Sequence, residues 1–600
     1  MTSGFDREAV QRKYAEERDR RVEGNRSSVS DLWRDERLAA YLDDPFTDFI
    51  ERDPVTEDVD VAIVGAGIAG VVTGAKLKDQ GDYTVALIDT AGGVGGTWYW
   101  NRYPGVMCDV ESYIYMPMLE EMGYVPTRKY AFGEEIREHI DAIARKYGLL
   151  DDALFHTRVE ESRWDDDAAR WVITTDRGDT VRARYLVMAV GILNLVKLPA
   201  IPGHEKFRGK SFHASRWDYA YTGGAPGDDN LTNLADKVVG IIGTGATAVQ
   251  CIPHLGASAK HLYVFQRTPS SVDVRNNRPT DPEWVKTLQP GWQQERMENF
   301  NICVEGGNVE VDLVQDGWTK IFRNLTGKVA KQASQKLGRR LTPQERGQLM
   351  ELADYIQMND VRARVDEIIE DPDVAERLKP WYRQFCKRPC FHDEYLPTFN
   401  RPNVTLVDTD GKGVERLTED GVVVDGTEYK VDCLVFATGF EVGTNYTRRA
   451  GYDIIGRDGV TLSQKWSEGL RTLHGLQTNG FPNCFFLGFT QTAITVSVPM
   501  ALNEQAKHVT YLMNTARDRG AELIECNVEA EDAWVAEIRR AASIGTRFYR
   551  ECTPGYYNNE GKLANPLGLF AGTYVEGPIK FFKLLDEWRA DGELQGVTLS

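Results

Sequence analysis

Val59-Asp60-Val61-Ala62-Ile63-Val64-Gly65-Ala66-Gly67-Ile68-Ala69-Gly70 decides the fold. Val59–Val64, bounded by Gly65, reads as a buried parallel strand; Ile68–Gln80 reads as a helix and Tyr83–Ile88 as a second strand, completing a βαβ unit. Within G-x-G-x-x-G, Gly65 allows the tight turn, Gly67 lets a pyrophosphate approach the backbone, and Gly70 lets helix and strand pack closely. The phosphates sit on the helix N-terminus. Asp89, at the end of the second strand, is placed to accept hydrogen bonds from ribose hydroxyls.

A second unit begins at Val238. Its strand is Val238–Ile242, its turn Gly243-Thr244-Gly245-Ala246-Thr247-Ala248, and its second strand Leu262–Gln266, with alanine at the third fingerprint position. At one and the same spacing, Gly65 leads to Asp89 and Gly243 leads to Arg267. An aspartate suits a free ribose diol, whereas an arginine, with the Thr268 hydroxyl beside it, suits a 2'-phosphate. The first site is therefore expected to take FAD or NAD and the second NADP, the alternative being an arginine that is merely on the surface. Two such sites imply a flavin exchanging hydride with a nicotinamide, in a reductase or a monooxygenase. A disulfide reductase needs a C-x-x-C or similar pair, and the sequence has none, so the electrons are expected to go to oxygen.

The fold class expected is α/β, with two Rossmann-like domains, a helical insertion and an N-terminal helical extension. Residues 58–195 and 434–600 are read as the two parts of the FAD domain, 196–282 and 384–433 as those of the NADP domain, 283–383 as the insertion and 1–57 as the extension. Asp6–Arg21 and Asp31–Leu42 are expected to be helical, anchored by Trp33, Leu38, Phe46, Phe49 and Ile50. In the insertion, Pro343–Ile356, Val361–Ile369 and Val374–Leu378 carry helical patterns. The net charge of -19 argues against nucleic acid and anionic membrane surfaces as partners. No signal peptide or spanning stretch is visible, which places the chain in the cytoplasm. Nine cysteines, an odd number, fit a reducing compartment, with Cys386 and Cys390 read as ordinary thiols. No H-E-x-x-H, paired histidine spacing or G-x-S-x-G is present, so no metal is expected.

Phe207-Arg208-Gly209-Lys210-Ser211-Phe212-His213-Ala214-Ser215-Arg216-Trp217-Asp218 fits F-x-G-x-x-x-H-x-x-x-W-[P/D] at every fixed position. Gly95-Gly96-Thr97-Trp98, followed by Tyr103-Pro104-Gly105 and Asp109, fits G-G-x-W-x-x-x-x-[F/Y]-P-G-x-x-x-D. In both signatures, and in Ala437-Thr438-Gly439-Phe440, the chain resembles the Baeyer–Villiger monooxygenases over about residues 58–590. The extension and the Gly- and Asp-rich Asp218–Leu234 loop resemble the extended members that oxidise bulky cyclic and polycyclic ketones. The resemblance implies FAD, NADPH and O2 as reactants and a C4a-peroxide of the flavin that attacks a carbonyl carbon, giving an ester or lactone. It further implies that Arg388 supplies the positive charge stabilising that peroxide, that Asp109 holds Arg388, and that Lys387 reaches the NADP 2'-phosphate.

Other readings stay open on residue type alone. His213 is a core histidine, or a hinge or linker residue at the cofactor domains, rather than an acid–base catalyst. Trp217 is assigned with it to the cofactor region. Trp98, Tyr99 and Trp100 either wall the flavin or fill the core, and Lys387-Arg388 could be an exposed basic pair. Phe489–Pro499 is expected to border the substrate. The alternative functions are a flavin N- or S-monooxygenase and a non-catalytic NADP sensor.

Overall fold

Thr56–Val64 runs parallel to Val85–Ile88 on one side and to Thr180–Met188 on the other. The computed structural model describes residues 6–24, 28–33, 35–307, 309–328, 333–335, 337–562 and 572–600. Cys484–Phe486 adds parallel to Thr180–Met188, while Arg170–Thr175 and Val159–Asp165 continue the sheet in antiparallel fashion and Ile454–Ile455 ends it, parallel to Val159–Asp165. Val61, Ala62, Ile63 and Val64 are all buried because helices cover one face and a Trp171- and Phe486-centred cluster covers the other. That two-sided burial is why the strand reads as an apolar run rather than an alternation.

The second sheet is wholly parallel, in the order Val404–Asp408, His261–Gln266, Val238–Ile242, Cys433–Phe436, Lys210–His213. Cys433–Phe436 belongs to this sheet, so the boundary read between 433 and 434 falls inside a strand, and the chain crosses back at Ala437-Thr438-Gly439. The two crossing segments lie side by side. Lys197 N donates to Gly439 O (2.9 Å), Thr438 Oγ1 donates to Lys197 O (2.6 Å), and Val196 pairs with Phe440.

The insertion is helical, but the two patterns at Pro343–Ile356 and Val361–Ile369 form one helix, Pro343–Ile368, opened by a Thr342/Glu345 capping box. The extension begins with the helix Arg7–Glu23, capped by Asp6; the expected second helix is a short 3-10 turn, Glu36–Tyr41. Its anchors differ from expectation. Tyr14, Leu32 and Tyr41 are buried, whereas Trp33, Phe49 and Ile50 are exposed, Phe49 being covered instead by the Arg177 guanidinium at 4.6 Å. Leu38 and Phe46 are partly buried, as expected. The cysteine reading also needs correction: Cys386 is disulfide-bonded to Cys552, their Cα atoms 5.0 Å apart, while Cys390 is a buried free thiol. No helix among the described residues is long and apolar enough to cross a membrane, and no group of three metal-ligating side chains occurs among them.

Candidate active site

The first glycine loop is built for close approach. Gly65, at φ +109°, lies so near Ala189 that a Cβ would sit 2.4 Å from its carbonyl oxygen, and at Gly70 it would sit 2.0 Å from Gly65 O. Gly67 caps the helix Ile68–Gly81, with backbone alone in front of it. The turn of the second signature packs directly on this loop, since Gly95 N donates to Ala66 O (2.9 Å) and a Cβ on Gly96 would sit 2.7 Å from Gly67 Cα. Asp89 accepts from Ala66 N (2.6 Å) and Ala91 N (2.8 Å), leaving a lone pair on each oxygen for ribose hydroxyls. Burial pushes its pKa up against those two amides. A glycine cradle on a helix N-terminus ending at a diol-accepting carboxylate fits FAD.

Trp98 is buried against the first domain's core, its Nε1 donating to Tyr115 (3.1 Å); Thr97 heads its helical turn. Tyr99 packs on Phe46 and under Arg102, and Trp100 lies under Arg216.

The second loop repeats the cradle. Gly243, at φ +116°, would place a Cβ 2.4 Å from Ala437 O, and the space around Gly245 is open to 4 Å. Ala248 is buried inside the helix Ala246–Ser258. Beyond the strand, cations converge. Arg267 and Lys197 both donate to Glu560, at 2.9 and 2.8 Å, while Thr268 Oγ1 accepts from Arg21 Nε at 3.0 Å. Lys387 completes the group: burial and the nearby Arg267 pull its pKa down to about 7. Four cations around an open glycine loop fit the 2'-phosphate of NADP.

At the junction Arg388 and Asp109 form a two-pronged ion pair, Nη2 to Oδ1 at 2.8 Å and Nη1 to Oδ2 at 2.5 Å. Burial alone would lower the arginine pKa, but the Asp109 carboxylate outweighs it and holds the guanidinium above its ordinary value. Trp318 donates its indole N–H to Asp109 O (3.0 Å) and sets its ring 5.7 Å from the guanidinium carbon. Tyr103, buried, donates to Gln250 (3.0 Å) on the second domain's helix, tying the two halves together. The Asp218–Leu234 insertion reaches the same place, since Gly105 N donates to Asp229 (3.0 Å).

His213 ends its strand beside the domain crossing, its ring centroid 5.9 Å from that of Phe440, and Nδ1 accepts from Ser215 N (3.2 Å). Burial pushes its pKa down to about 3, so its imidazole is neutral at pH 7. Trp217 is buried in the second domain's core, packed on Phe212 and donating to Thr222 (3.0 Å). In Phe489–Pro499 the first half is tied up internally: Thr490 and Thr492 donate to Gly475 O and Gly488 O. The second half, through Val496, packs with Val110, Phe300 and Trp318 next to Asp109. A cavity of about 1380 Å³ opens nearby, lined by Tyr130, Arg275, Asp316 and Arg323 among others, with no residue of Phe489–Pro499.

Sequence reasoning missed Arg21, Lys197 and Glu560. Only the Rossmann pattern could have pointed to the region they enter.

Residues 63–123 match the family of NAD(P)-binding Rossmann-like domains. Neopentalenolactone D synthase of Streptomyces avermitilis is 54% identical over 99% of this chain and 99% of its own. A Baeyer–Villiger monooxygenase of Stachybotrys chlorohalonatus is 47% identical over 99% of this chain and 95% of its own. The solved polycyclic ketone monooxygenase from Thermothelomyces thermophila superposes with a TM-score of 0.90 at 40% identity, covering 99% of both chains. With both cradles, the junction and the full length accounted for, the chain belongs to the Baeyer–Villiger monooxygenases, FAD- and NADPH-dependent enzymes that convert ketones with O2 into esters or lactones.

Proposed function

We propose that the enzyme acts on bulky cyclic ketones and that Arg388 is the charge on which oxygen transfer depends. The observation that carries this is the Arg388–Asp109 pair at the junction of the two domains. Bound FAD, with NADPH and O2, would supply the activated oxygen needed at the substrate carbonyl. The chain's own part is to hold negative charge and keep water out. Arg388 suits this because its guanidinium does not titrate in the working range and its planar fork, fixed on two sides by Asp109, keeps one geometry. Trp318 shields that pair with its indole ring. Asp89 takes the flavin-side ribose, Gly65, Gly67, Gly70, Gly96 and Thr97 surround its phosphates, and Gly243, Gly245, Arg267, Thr268 and Lys387 receive NADPH.

Relatives named for a pentalenolactone-type product and for polycyclic ketones, together with coverage of nearly the whole of both chains, support a large substrate. Fused or large-ring ketones should therefore be converted at least as well as cyclohexanone or a simple aryl ketone. The measurement is ester or lactone by mass, not coenzyme loss. Confinement to small ketones across such a panel would refute the substrate class.

Lys387 makes coenzyme binding pH-dependent. With its pKa near 7 it is partly neutral in the free enzyme, and a phosphate beside it favours the ammonium. Binding must then take up a proton, so NADP+ affinity should fall as pH rises above 7, approaching about tenfold per pH unit. Calorimetric titration of the FAD-loaded enzyme between pH 6.5 and 8.5 reads this, and Lys387→Arg should flatten the slope. A flat or rising wild-type affinity would remove Lys387 from the site.

A further inference from the structure

We propose that Glu560 is an internal counter-ion seated where the coenzyme's 2'-phosphate must go, so that NADPH binds by displacing it and NADH does not. This rests on the reading of Arg267, Thr268 and Lys387 as the 2'-phosphate site. Glu560 comes from the far end of the chain, and its two oxygens are divided between Lys197 Nζ (2.8 Å) and Arg267 Nη2 (2.9 Å), with only 13% of its side chain exposed. Burial would raise its pKa, but Arg267 and Lys197 more than reverse that, to about 2, so it is anionic throughout the working range. Lys387 adds its charge to the same spot.

The segment carrying this carboxylate is set on the site and strained there. The disulfide from Cys552 joins Cys386, the residue just before Lys387, and Gly555 lies over the Lys387 ammonium, where a Cβ would sit 3.7 Å from Nζ. Asn559 and Glu560 both adopt left-handed backbone, at φ +50° and +55°, a conformation that glutamate rarely takes and that costs free energy. A phosphate dianion brings more charge and more acceptor oxygens than one carboxylate, so it outcompetes Glu560 for Arg267 and Lys197 and lets that strain relax. A coenzyme without the phosphate leaves Glu560 in place. The carboxylate therefore lowers the enzyme's preference for NADPH over NADH, since a site filled for part of the time binds more weakly by that fraction.

The test is calorimetric titration of the FAD-loaded, full-length enzyme with NADP+, NAD+ and adenosine 2',5'-bisphosphate. Glu560→Gln should tighten NADP+ and the bisphosphate by about tenfold and leave NAD+ within about twofold. Glu560→Asp, which keeps the charge on a shorter arm, should give a smaller gain, and it serves if the glutamine variant loses its FAD. Weaker or unchanged NADP+ binding in Glu560→Gln overturns the proposal. Arg267→Ala in the same titration separates the two readings. If it leaves NADP+ affinity unmoved, the phosphate site itself is misplaced; if it weakens NADP+ while Glu560→Gln does nothing, only the counter-ion role fails.

Discussion

Arg388→Ala should leave the enzyme folded and yellow yet reduce ester formation by about a hundred- to a thousandfold, the loss seen when one preorganised charge-stabilising donor is removed from a water-poor site, ~2.7–4 kcal/mol. The position is demanding for two reasons. Asp109 is fixed by both prongs of the guanidinium, and its carboxylate is 90% shielded, so losing the arginine also leaves a buried acid unpaired. Turnover that survives should release hydrogen peroxide instead of product, because oxygen is still activated when the charge that holds it for attack is missing. Arg388→Lys should recover little, since an ammonium cannot span both Asp109 oxygens. Asp109→Ala should show the same failure in milder form: the charge remains and only its orientation is lost. Rapid mixing of reduced enzyme with O2, with ester and peroxide quantified together, is the measurement. Wild-type coupling in Arg388→Ala would move the role to another cation, Lys387 first.

Arg267→Ala should weaken NADPH by roughly ten- to a hundredfold, corresponding to a charge-assisted contact of about 1.5–3 kcal/mol, and leave NADH nearly untouched. The selectivity follows from what Arg267 touches. It bonds Glu560 in the free enzyme and, on our reading, the 2'-phosphate in the complex, neither of which NADH engages. The ratio of kcat/KM for the two coenzymes reads the effect directly. An unchanged ratio would sink the NADP assignment of the second glycine loop.

What could be seen in the sequence and what could not divides along distance in the chain. Gly65, Gly67 and Asp89 were legible because a dinucleotide cradle is assembled from one short βαβ unit, so its requirements are written consecutively. The contrast between Asp89 and Arg267 was legible for the same reason. Arg388 and Asp109 lie 279 residues apart, and nothing local says that they meet; Asp109 came from a family signature and Arg388 from the family resemblance alone. Lys197, Arg21 and Glu560 belong to no signature, and only the fold brings a crossing segment, an extension and a C-terminal loop to one strand end. Cys386 and Cys552 pair across 166 residues, which no cysteine count can disclose. The misjudged anchors have another cause: Trp33 and Phe49 are apolar enough for a core, but arginine side chains lie against their rings, and a hydrophobicity pattern does not register that cover.

The N-terminal helix has a place in time as well as in space. Its partners are Thr268 for Arg21, Glu351 for Arg7, Arg362 for Tyr14 and Asp410 for Arg20. All of them are translated long after it. At ribosomal rates of about 5–20 residues per second, the helix waits roughly 20–80 s between its own synthesis and that of Asp410. Seventeen residues of charged sequence make a marginal helix alone, so during that interval it has little to hold it in shape. The helix is thus made long before it is fixed, and the coenzyme-side residue Arg21 reaches Thr268 only after the chain has grown by a further 247 residues.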